Sequence, residues 1–207
     1  MERNFFTMDE IKGIPEEHLN NNALLRHTLS RRRFCQWGML ALGSAMINRP
    51  AFAAVNSLLI PERSLNIYNV HTEESLDTVY WRDGKYIESS LADINHLFRD
   101  HYTDETTSID PDLLDLLNAL TRKMKTDEPI HVVSGYRTRA TNAYLRRCYR
   151  NVARNSLHIS GMAADIYLPG CRLSTLHRTA VHLRGGGVGY YPKEHFIHVD
   201  IGRIRYW

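Results

Sequence analysis

The chain has 207 residues, of which 43% are hydrophobic and 24% charged, a composition that excludes a disordered or fibrous protein and suffices for one domain with a core. Lysine and arginine number 26 against 23 aspartates and glutamates, and the excess of three is split between the first 53 residues and the rest. No basic stripe remains for a phosphate backbone, so the composition argues against nucleic acid as a partner.

The N-terminal segment has the pattern of an export signal. Arginines precede an uncharged run of 11 residues, Trp37–Ile47, and a small-x-small cleavage pattern ends at Ala53. The run is shorter than the roughly 20 apolar residues of a membrane span, so we expect no stable membrane anchor after processing. The alternative for this segment is an amphipathic first helix of the domain. For the whole chain, a further alternative is a cytosolic interaction protein whose first 53 residues form a helical arm.

The arginine pair Arg31 and Arg32 follows Ser30 and stands two residues before Phe34. This arrangement resembles a twin-arginine signal, which predicts recognition by the twin-arginine export machinery and a periplasmic location. We therefore predict an N-terminal extension and signal over 1–53, a short leader over 54–63 and one domain over 64–207.

Two cysteines, Cys148 and Cys171, remain if the chain is cut after Ala53. They are too few for a disulfide framework or a cysteine-based zinc site. In an oxidising compartment they can pair, provided that their Cα atoms lie within about 7 Å of each other. The sequence leaves both the paired and the free state open.

The first half of the mature chain predicts a β-meander followed by two helices. A hairpin turn is expected at Asp83 and Gly84, and the second helix is expected to begin at Asp110 and Pro111. Leucines at helical spacing form the buried stripe of that helix. The predicted strands are Leu65–Val70, Asp77–Trp81 and Lys85–Glu88, and the first helix carries Leu91, Ile94, Leu97 and Phe98.

The second half alternates short strands with helices and has no repeating βαβ unit, so the fold class is α+β. We expect the last two strands to form a tight antiparallel pair. The predicted strands are Ile130–Val133, Ala163–Leu168, a strand after the glycines from Gly185, His195–Ile201 and Arg203–Trp207; the predicted helices are Thr141–Tyr149 and Leu173–Leu183.

Nine histidines follow residue 53, and most of them stand alone on predicted helices or strand ends, as packing or surface residues do. His158, Asp165 and His198 differ in context. His158 precedes Asp165 by seven residues, and the small residues between them, Gly161 among them, allow a sharp turn. A distant strand then supplies His198. Two imidazoles and a carboxylate match the three protein ligands of a catalytic zinc site.

Four motifs stand in order along the mature chain: SGYRT at 134–138, SLHISGMAAD at 156–165, GGVGYY at 186–191 and HVDIG at 198–202. Together they resemble the YcbK-type murein endopeptidases, relatives of the D-Ala-D-Ala carboxypeptidases and lysostaphin-like zinc peptidases. The resemblance covers roughly 65–207. It implies a Hedgehog/D-Ala-D-Ala peptidase-like fold, in which helices flank a small antiparallel sheet.

The resemblance also implies a zinc ion held by His158, Asp165 and His198, and a substrate-facing Arg137. With one charge neutralised, such a zinc ion is acidic enough to activate water at neutral pH. Arg137 follows a predicted strand, where its guanidinium can stabilise an oxyanion or, alternatively, cap the next helix. Ser156 is a candidate for orienting His158, although a loop or cap serine is equally consistent with its position.

The general base is expected near the last ligand. Related carboxypeptidases carry a glutamate three residues before that ligand, and His195 stands there in this chain, with a pKa suited to proton transfer. In an ideal strand, residues three apart face opposite ways, so His195 reaches the site only from a bent strand start. Asp200 shares a face with His198 and is the reserve, either as the base or as the group that orients His198.

The function that the resemblance implies is an exported zinc metallopeptidase that hydrolyses amide bonds in peptidoglycan cross-links. The alternatives are a carboxypeptidase acting on stem peptides, for which Arg139, Arg146, Arg147 or Arg203 would bind the terminal carboxylate, and a zinc-containing module that binds wall peptides without cleaving them.

Overall fold

A computed structural model describes residues 62–149 and 152–207 of the chain. The predicted extension and signal over 1–53, and the leader over 54–63 up to residue 61, lie outside these residues. In the described part, no helix is both long enough and apolar enough to cross a membrane.

The described residues form an α+β fold, as predicted: one eight-stranded sheet with helices packed against it. The strand order is β3-β2-β1-β4-β5-β7-β6-β8, with β1–β4 and β6–β8 parallel and the other neighbours antiparallel. The strands are β1 Glu62–Asn69, β2 Ser75–Arg82, β3 Lys85–Tyr86, β4 Ile130–Ser134, β5 Ala163–Tyr167, β6 Gly187–Tyr191, β7 Phe196–Asp200 and β8 Arg205–Tyr206. The helices are α1 Glu88–Leu97, α2 Pro111–Met124, α3 Arg139–Cys148 and α4 Leu173–Leu183, and a 3-10 helix spans Leu157–Ser160.

The N-terminal meander is confirmed, with β1, β2 and β3 adjacent in the sheet. Asp83 and Gly84 connect β2 to β3 with left-handed φ values of 51° and 81°. Two consecutive positive φ values are what a two-residue hairpin turn requires, which explains why an Asp-Gly pair forms it.

The helix starts follow from their capping residues. The Asp110 side chain accepts a hydrogen bond from the Asp112 N–H, and Pro111 occupies the first helical position of α2. Helix α3 begins two residues earlier than predicted, because the Thr138 side chain accepts from the Thr141 N–H and so caps the helix at Arg139. Helix α4 has the predicted bounds.

The prediction for the last strand was wrong in its partner. Strand β8 runs antiparallel in direction to β7, but it pairs with β6, on the side of β6 that faces away from β7. The Asp200 side chain accepts from Gly202 N–H and binds the Arg205 guanidinium, which holds the turn after β7. Trp207 then makes two backbone hydrogen bonds with β6.

One face of the sheet packs in the hydrophobic core, and the other face carries the candidate site residues. On β5 and β7, Ala164, Ile166, Ile197 and Val199 belong to the core, against which α1, α2 and α4 pack. Because side chains alternate along a strand, Asp165 and the residues that share its face point the other way. The alternation therefore separates core residues from candidate site residues on the same two strands.

Neither of the two cysteines in the described part of the chain is in a disulfide. Cys148 is exposed on α3 and Cys171 is partly exposed before α4, and both are free thiols.

A buried ion pair ties α2 to the meander and predicts a measurable loss of stability. Arg63 on β1 donates to Asp115 of α2 at 2.5 Å, and the Tyr80 hydroxyl donates to the same carboxylate at 2.8 Å. Asp115→Ala leaves a guanidinium whose side chain is only 7% exposed without its partner. We expect the free energy of unfolding in urea to fall by about 2 kcal/mol, less than for a fully buried pair because Asp115 keeps some exposure.

Arg82→Ala is the matched control, because Arg82 on β2 pairs with Glu62 on β1 at the exposed surface. Its removal should leave the unfolding midpoint nearly unchanged. Equal destabilisation by the two variants would contradict the role given to the Asp115 cluster.

Candidate metal centre

Three separate elements bring the predicted metal ligands together. Strands β5 and β7 are adjacent, and their register places Asp165 directly opposite His198. His158 lies on the 3-10 helix that precedes β5. Gly161 ends that helix with φ at 66°, and a Cβ there would lie 2.4 Å from the Ser108 carbonyl oxygen. The turn from His158 back to Asp165 therefore requires a glycine, both for its backbone conformation and for space.

The three ligand atoms form a compact triangle. His158 Nε2 lies 3.2 Å from His198 Nδ1 and 3.3 Å from Asp165 Oδ1, and His198 Nδ1 lies 2.8 Å from Asp165 Oδ1. A tetrahedral zinc ion with bonds of about 2.0–2.2 Å separates its ligand atoms by roughly 3.3 Å. The residues are 2%, 5% and 9% exposed in chain order, so the triangle is closed to bulk water on most sides.

The outer nitrogen of each imidazole is held by an acceptor. His158 Nδ1 lies 2.7 Å from the Gly135 carbonyl oxygen, which only accepts, so this nitrogen carries the proton. His198 Nε2 lies 3.0 Å from Asp200 Oδ2. When both rings are neutral, as metal binding requires, these contacts fix the tautomers in which His158 Nε2 and His198 Nδ1 direct lone pairs to the triangle. Histidines that bind metals are oriented in this way.

Asp200 is fully buried and saturated with donors. It accepts from the backbone N–H groups of Gly187 at 3.0 Å and Gly202 at 2.8 Å, and from two nitrogens of Arg205 at 3.1 and 2.6 Å. Burial alone would raise the pKa of Asp200, but the hydrogen bonds from His198 and Arg205 hold it well below its ordinary value. Of the two roles considered for Asp200, this geometry favours orienting His198 over accepting a proton.

Arg137 lies beside the carboxylate of the triangle. Its Nη2 donates to Asp165 Oδ2 and its Nε donates to Ser134 Oγ at 2.7 Å. Nη1 makes no hydrogen bond with any described residue. The cap of the following helix is Thr138, so Arg137 does not serve as that cap. The guanidinium thus holds Asp165 through Nη2, and its Nη1 is available to donate a hydrogen bond to another group.

Burial and the neighbouring charges shift the pKa of each residue in the triangle. Burial and the nearby Arg137 lower the pKa of His158 to about 4. Burial also acts to lower the pKa of His198, but its hydrogen bonds to Asp165 and Asp200 outweigh burial and raise the pKa to about 9. For Asp165, the effect of burial is overcome by the charges of His158 and Arg137, which hold its pKa well below the usual range.

The loop that carries the Gly135 carbonyl is fixed by α1 and the residues after it. The N–H of Tyr136 donates to the Phe98 carbonyl at 2.7 Å, and the N–H of Thr138 donates to the buried Asp100 carboxylate at 2.8 Å. A Cβ at Gly135 would lie 2.5 Å from the Phe98 carbonyl oxygen, so only glycine fits this close approach.

Ser156 does not orient His158 in this structure. It stands at the N-cap of the 3-10 helix without a side-chain capping bond, and its carbonyl accepts from the Ile159 N–H. The group on His158 Nδ1 is the Gly135 carbonyl oxygen instead. The sequence does not predict this acceptor, because every residue has a backbone carbonyl and no residue type marks the one that contacts His158.

His195 lies just before β7, at an exposed position with φ at 63°. Its ring centroid is 5.7 Å from that of Tyr167, which shares a strand face with Asp165 two residues away. The left-handed backbone at His195, directly before β7, breaks the side-chain alternation that a regular strand through His195 would have. The contact with Tyr167 places the imidazole on the same face of the sheet as the triangle.

Among the described residues, His158, Asp165 and His198 are the one set with metal-ligand spacing. His71 and His101 stack on each other with ring centroids 3.8 Å apart, and burial lowers the pKa of His101 to about 4.

Comparisons with known proteins give one consistent result. The sequence model of the family described as peptidoglycan L,D-endopeptidase MepK matches residues 59–207. The chain is 40% identical over 179 residues to the peptidoglycan L,D-endopeptidase MepK of Escherichia coli K12, covering 86% of this chain and 97% of that protein. It is 36% identical over 180 residues to the probable peptidoglycan L,D-endopeptidase MepK of Haemophilus influenzae, covering 86% and 95% of the two chains.

The geometry of the triangle predicts metal binding that depends on each of its corners. The chain from Ala54 onwards should retain one zinc ion after dialysis, and His158→Ala should lose it, because two remaining donors bind zinc far more weakly than three. Elemental analysis of the dialysed protein measures this directly.

His182→Ala is the control for a non-specific loss of histidine, because His182 is exposed on α4 and bonds only to the Arg178 carbonyl of its own helix. It should retain zinc like the unmodified chain. Full zinc occupancy in His158→Ala would refute the assignment of the site.

Proposed function

Because the chain belongs to the peptidoglycan L,D-endopeptidase MepK family, we propose that it is an exported zinc peptidase that cleaves peptide cross-links of peptidoglycan at L,D-amide bonds. The observation that carries the proposal is the triangle of His158, Asp165 and His198, in which both imidazoles have their outer nitrogens held by acceptors. The relatives' names, which specify an endopeptidase, favour this activity over the carboxypeptidase alternative.

The donor set fits zinc. Two neutral imidazoles and one carboxylate form a set used in catalytic zinc sites, and three protein ligands leave a position for water or substrate. Zinc bound there supplies Lewis acidity, which polarises a carbonyl group and lowers the pKa of water to about 7. The rest of the reaction requires groups of the chain that hold the substrate and move protons.

Arg137 is proposed to stabilise the negative charge that develops on the scissile carbonyl oxygen. Its Nε and Nη2 are fixed by Ser134 and Asp165, so the guanidinium is already oriented before substrate binds. Nη1 is then the nitrogen that faces the oxyanion. A fixed charged donor in a partly buried site stabilises such a charge far better than a mobile surface arginine does.

His195 is proposed as the general base and acid. Its place on the same sheet face as the triangle, against Tyr167, supports this role. An exposed imidazole has a ring nitrogen that can take a proton from water and return it to the leaving amine. Asp200 is proposed to orient His198, because its oxygens are already occupied by four groups.

The decisive experiment is digestion of purified peptidoglycan sacculi by the zinc-loaded chain from Ala54 onwards, followed by mass analysis of the released fragments. An endopeptidase reduces cross-linked dimers to monomers whose masses identify the bond that was cut. Loss of single terminal residues with cross-links intact would support a carboxypeptidase instead. Retention by sacculi without any cleavage would support a binding module.

Replacement of His195 predicts a loss of turnover with the metal in place. His195→Ala should lower kcat on cross-linked muropeptides by roughly 10²- to 10⁴-fold, the usual contribution of general acid–base catalysis. Zinc content should stay unchanged, because His195 is not part of the triangle. Steady-state kinetics together with elemental analysis test both statements.

Asp200→Asn is the comparison. It weakens the support of His198, so zinc affinity should fall on the order of 10- to 100-fold. If Asp200→Asn instead loses turnover with full zinc occupancy while His195→Ala keeps it, the base is Asp200.

Export by the twin-arginine route is proposed from the pattern at Arg31 and Arg32. Alignment with the relatives covers a larger share of the chain than 59–207 alone, so the likeness extends into the segment before residue 59. Replacing both arginines by lysine should leave unprocessed protein in the cytoplasm, as cell fractionation would show. Normal processing of this double variant would contradict the route.

A further inference from the structure

The indole of Trp207 lies beside the metal centre, on the same face of the sheet. Its ring centroid is 5.4 Å from that of His198. Gly189 stands opposite His198 in the register of β6 and β7, and a Cβ at Gly189 would lie 2.7 Å from two atoms of the indole. The ring therefore rests on the backbone of β6 where a glycine makes room for it.

The indole is held from several directions. Its Nε1 donates to the Tyr191 hydroxyl at 2.8 Å, and the guanidinium carbon of Arg205 lies 4.9 Å from the ring centroid. The Trp207 backbone N–H donates to the Val188 carbonyl at 3.2 Å, and its carbonyl accepts from the Tyr190 N–H at 2.9 Å. These contacts fix both the backbone and the ring.

Despite these restraints, Trp207 is 49% exposed. A large apolar ring that is held in place and still exposed to solvent favours ligand binding, because binding buries apolar area without the entropic cost of ordering the ring. The neighbouring Tyr206 is exposed to a similar degree, 46%, and its hydroxyl donates to the Val181 carbonyl at 3.4 Å.

We propose that Trp207 is a substrate-contacting specificity residue, whose indole binds the aliphatic part of the peptide residue next to the scissile amide. This rests on the proposed function. An amide that reacts at the triangle has its flanking residue within side-chain reach of a ring 5.4 Å from His198. Arg205, whose guanidinium carbon lies 4.9 Å from the ring centroid, disfavours a cationic group at this ring. The exposed part of the indole is largely apolar, so its complement is aliphatic surface.

The test compares Trp207→Ala and Trp207→Phe with Tyr206→Ala, a matched control on the adjacent residue. Kinetics of the zinc-loaded proteins on soluble cross-linked muropeptides give kcat and KM. Calorimetric titration of the zinc-depleted proteins with the same muropeptides measures binding without turnover. Elemental analysis and thermal unfolding report zinc content and folding for each variant.

Trp207→Ala should raise KM and weaken binding about 10-fold, the size expected for one aromatic contact, with kcat within about twofold and zinc content unchanged. Trp207→Phe should show a smaller change in the same direction, and Tyr206→Ala none. Unchanged KM and binding would overturn the proposal, and so would a loss of zinc, which would show that the indole only supports His198.

If Trp207→Ala does not fold, Tyr191→Phe is the variant that tests the proposal. It removes the hydroxyl that accepts from Trp207 Nε1 and keeps the aromatic rings of both residues, so it should also raise KM. Unmodified chain that neither binds nor cleaves the cross-linked peptides would refute the proposed function and this inference with it. Unmodified chain that cleaves them, with Trp207 variants that match it in KM, would refute this inference alone.

Discussion

The buried carboxylate of Asp165 is the group on which the site depends. It lies within 3.3 Å of both imidazoles and also binds Arg137, while only 5% of the residue is exposed. A charge removed from water at such a position is stable only with compensating positive charge. Arg137 supplies one such charge. The two imidazole nitrogens that face Asp165 add lone pairs, so a proton or a metal ion is needed to complete the cluster.

Much of the fold was predictable because its signals are local. The Asp-Gly turn, the Asp-Pro start of α2 and the alternation that points Asp165 and His198 away from the core all follow from neighbouring residues. The partner of β8 was not predictable in this way. A two-residue strand has too little pattern of its own, and its position depends on the contact of Arg205 with Asp200 and on backbone bonds to β6.

The three residues of the triangle were predicted to lie together because each carries a metal-binding side chain in a recognisable motif, and the structure brings them together. The groups that orient them were harder to find. His158 is held by the Gly135 carbonyl, and Asp200 accepts from the N–H groups of Gly187 and Gly202, so backbone atoms do much of this work. Glycines in the motifs were visible in the sequence, but their role as close-packed backbone donors and acceptors depends on contacts between distant segments.

Arg205 connects the metal centre to the surface proposed to bind substrate. Two of its nitrogens bind the Asp200 carboxylate, which holds His198, and its guanidinium also packs on the Trp207 ring. The side chain can do both only if β8 lies beside β6, where Arg205 is opposite Gly187 in the register. A Cβ at Gly187 would lie 2.4 Å from an Arg205 nitrogen, so the glycine leaves the space that the guanidinium occupies. The pairing of β8 with β6 thus places one cation where it supports both His198, through Asp200, and the exposed indole.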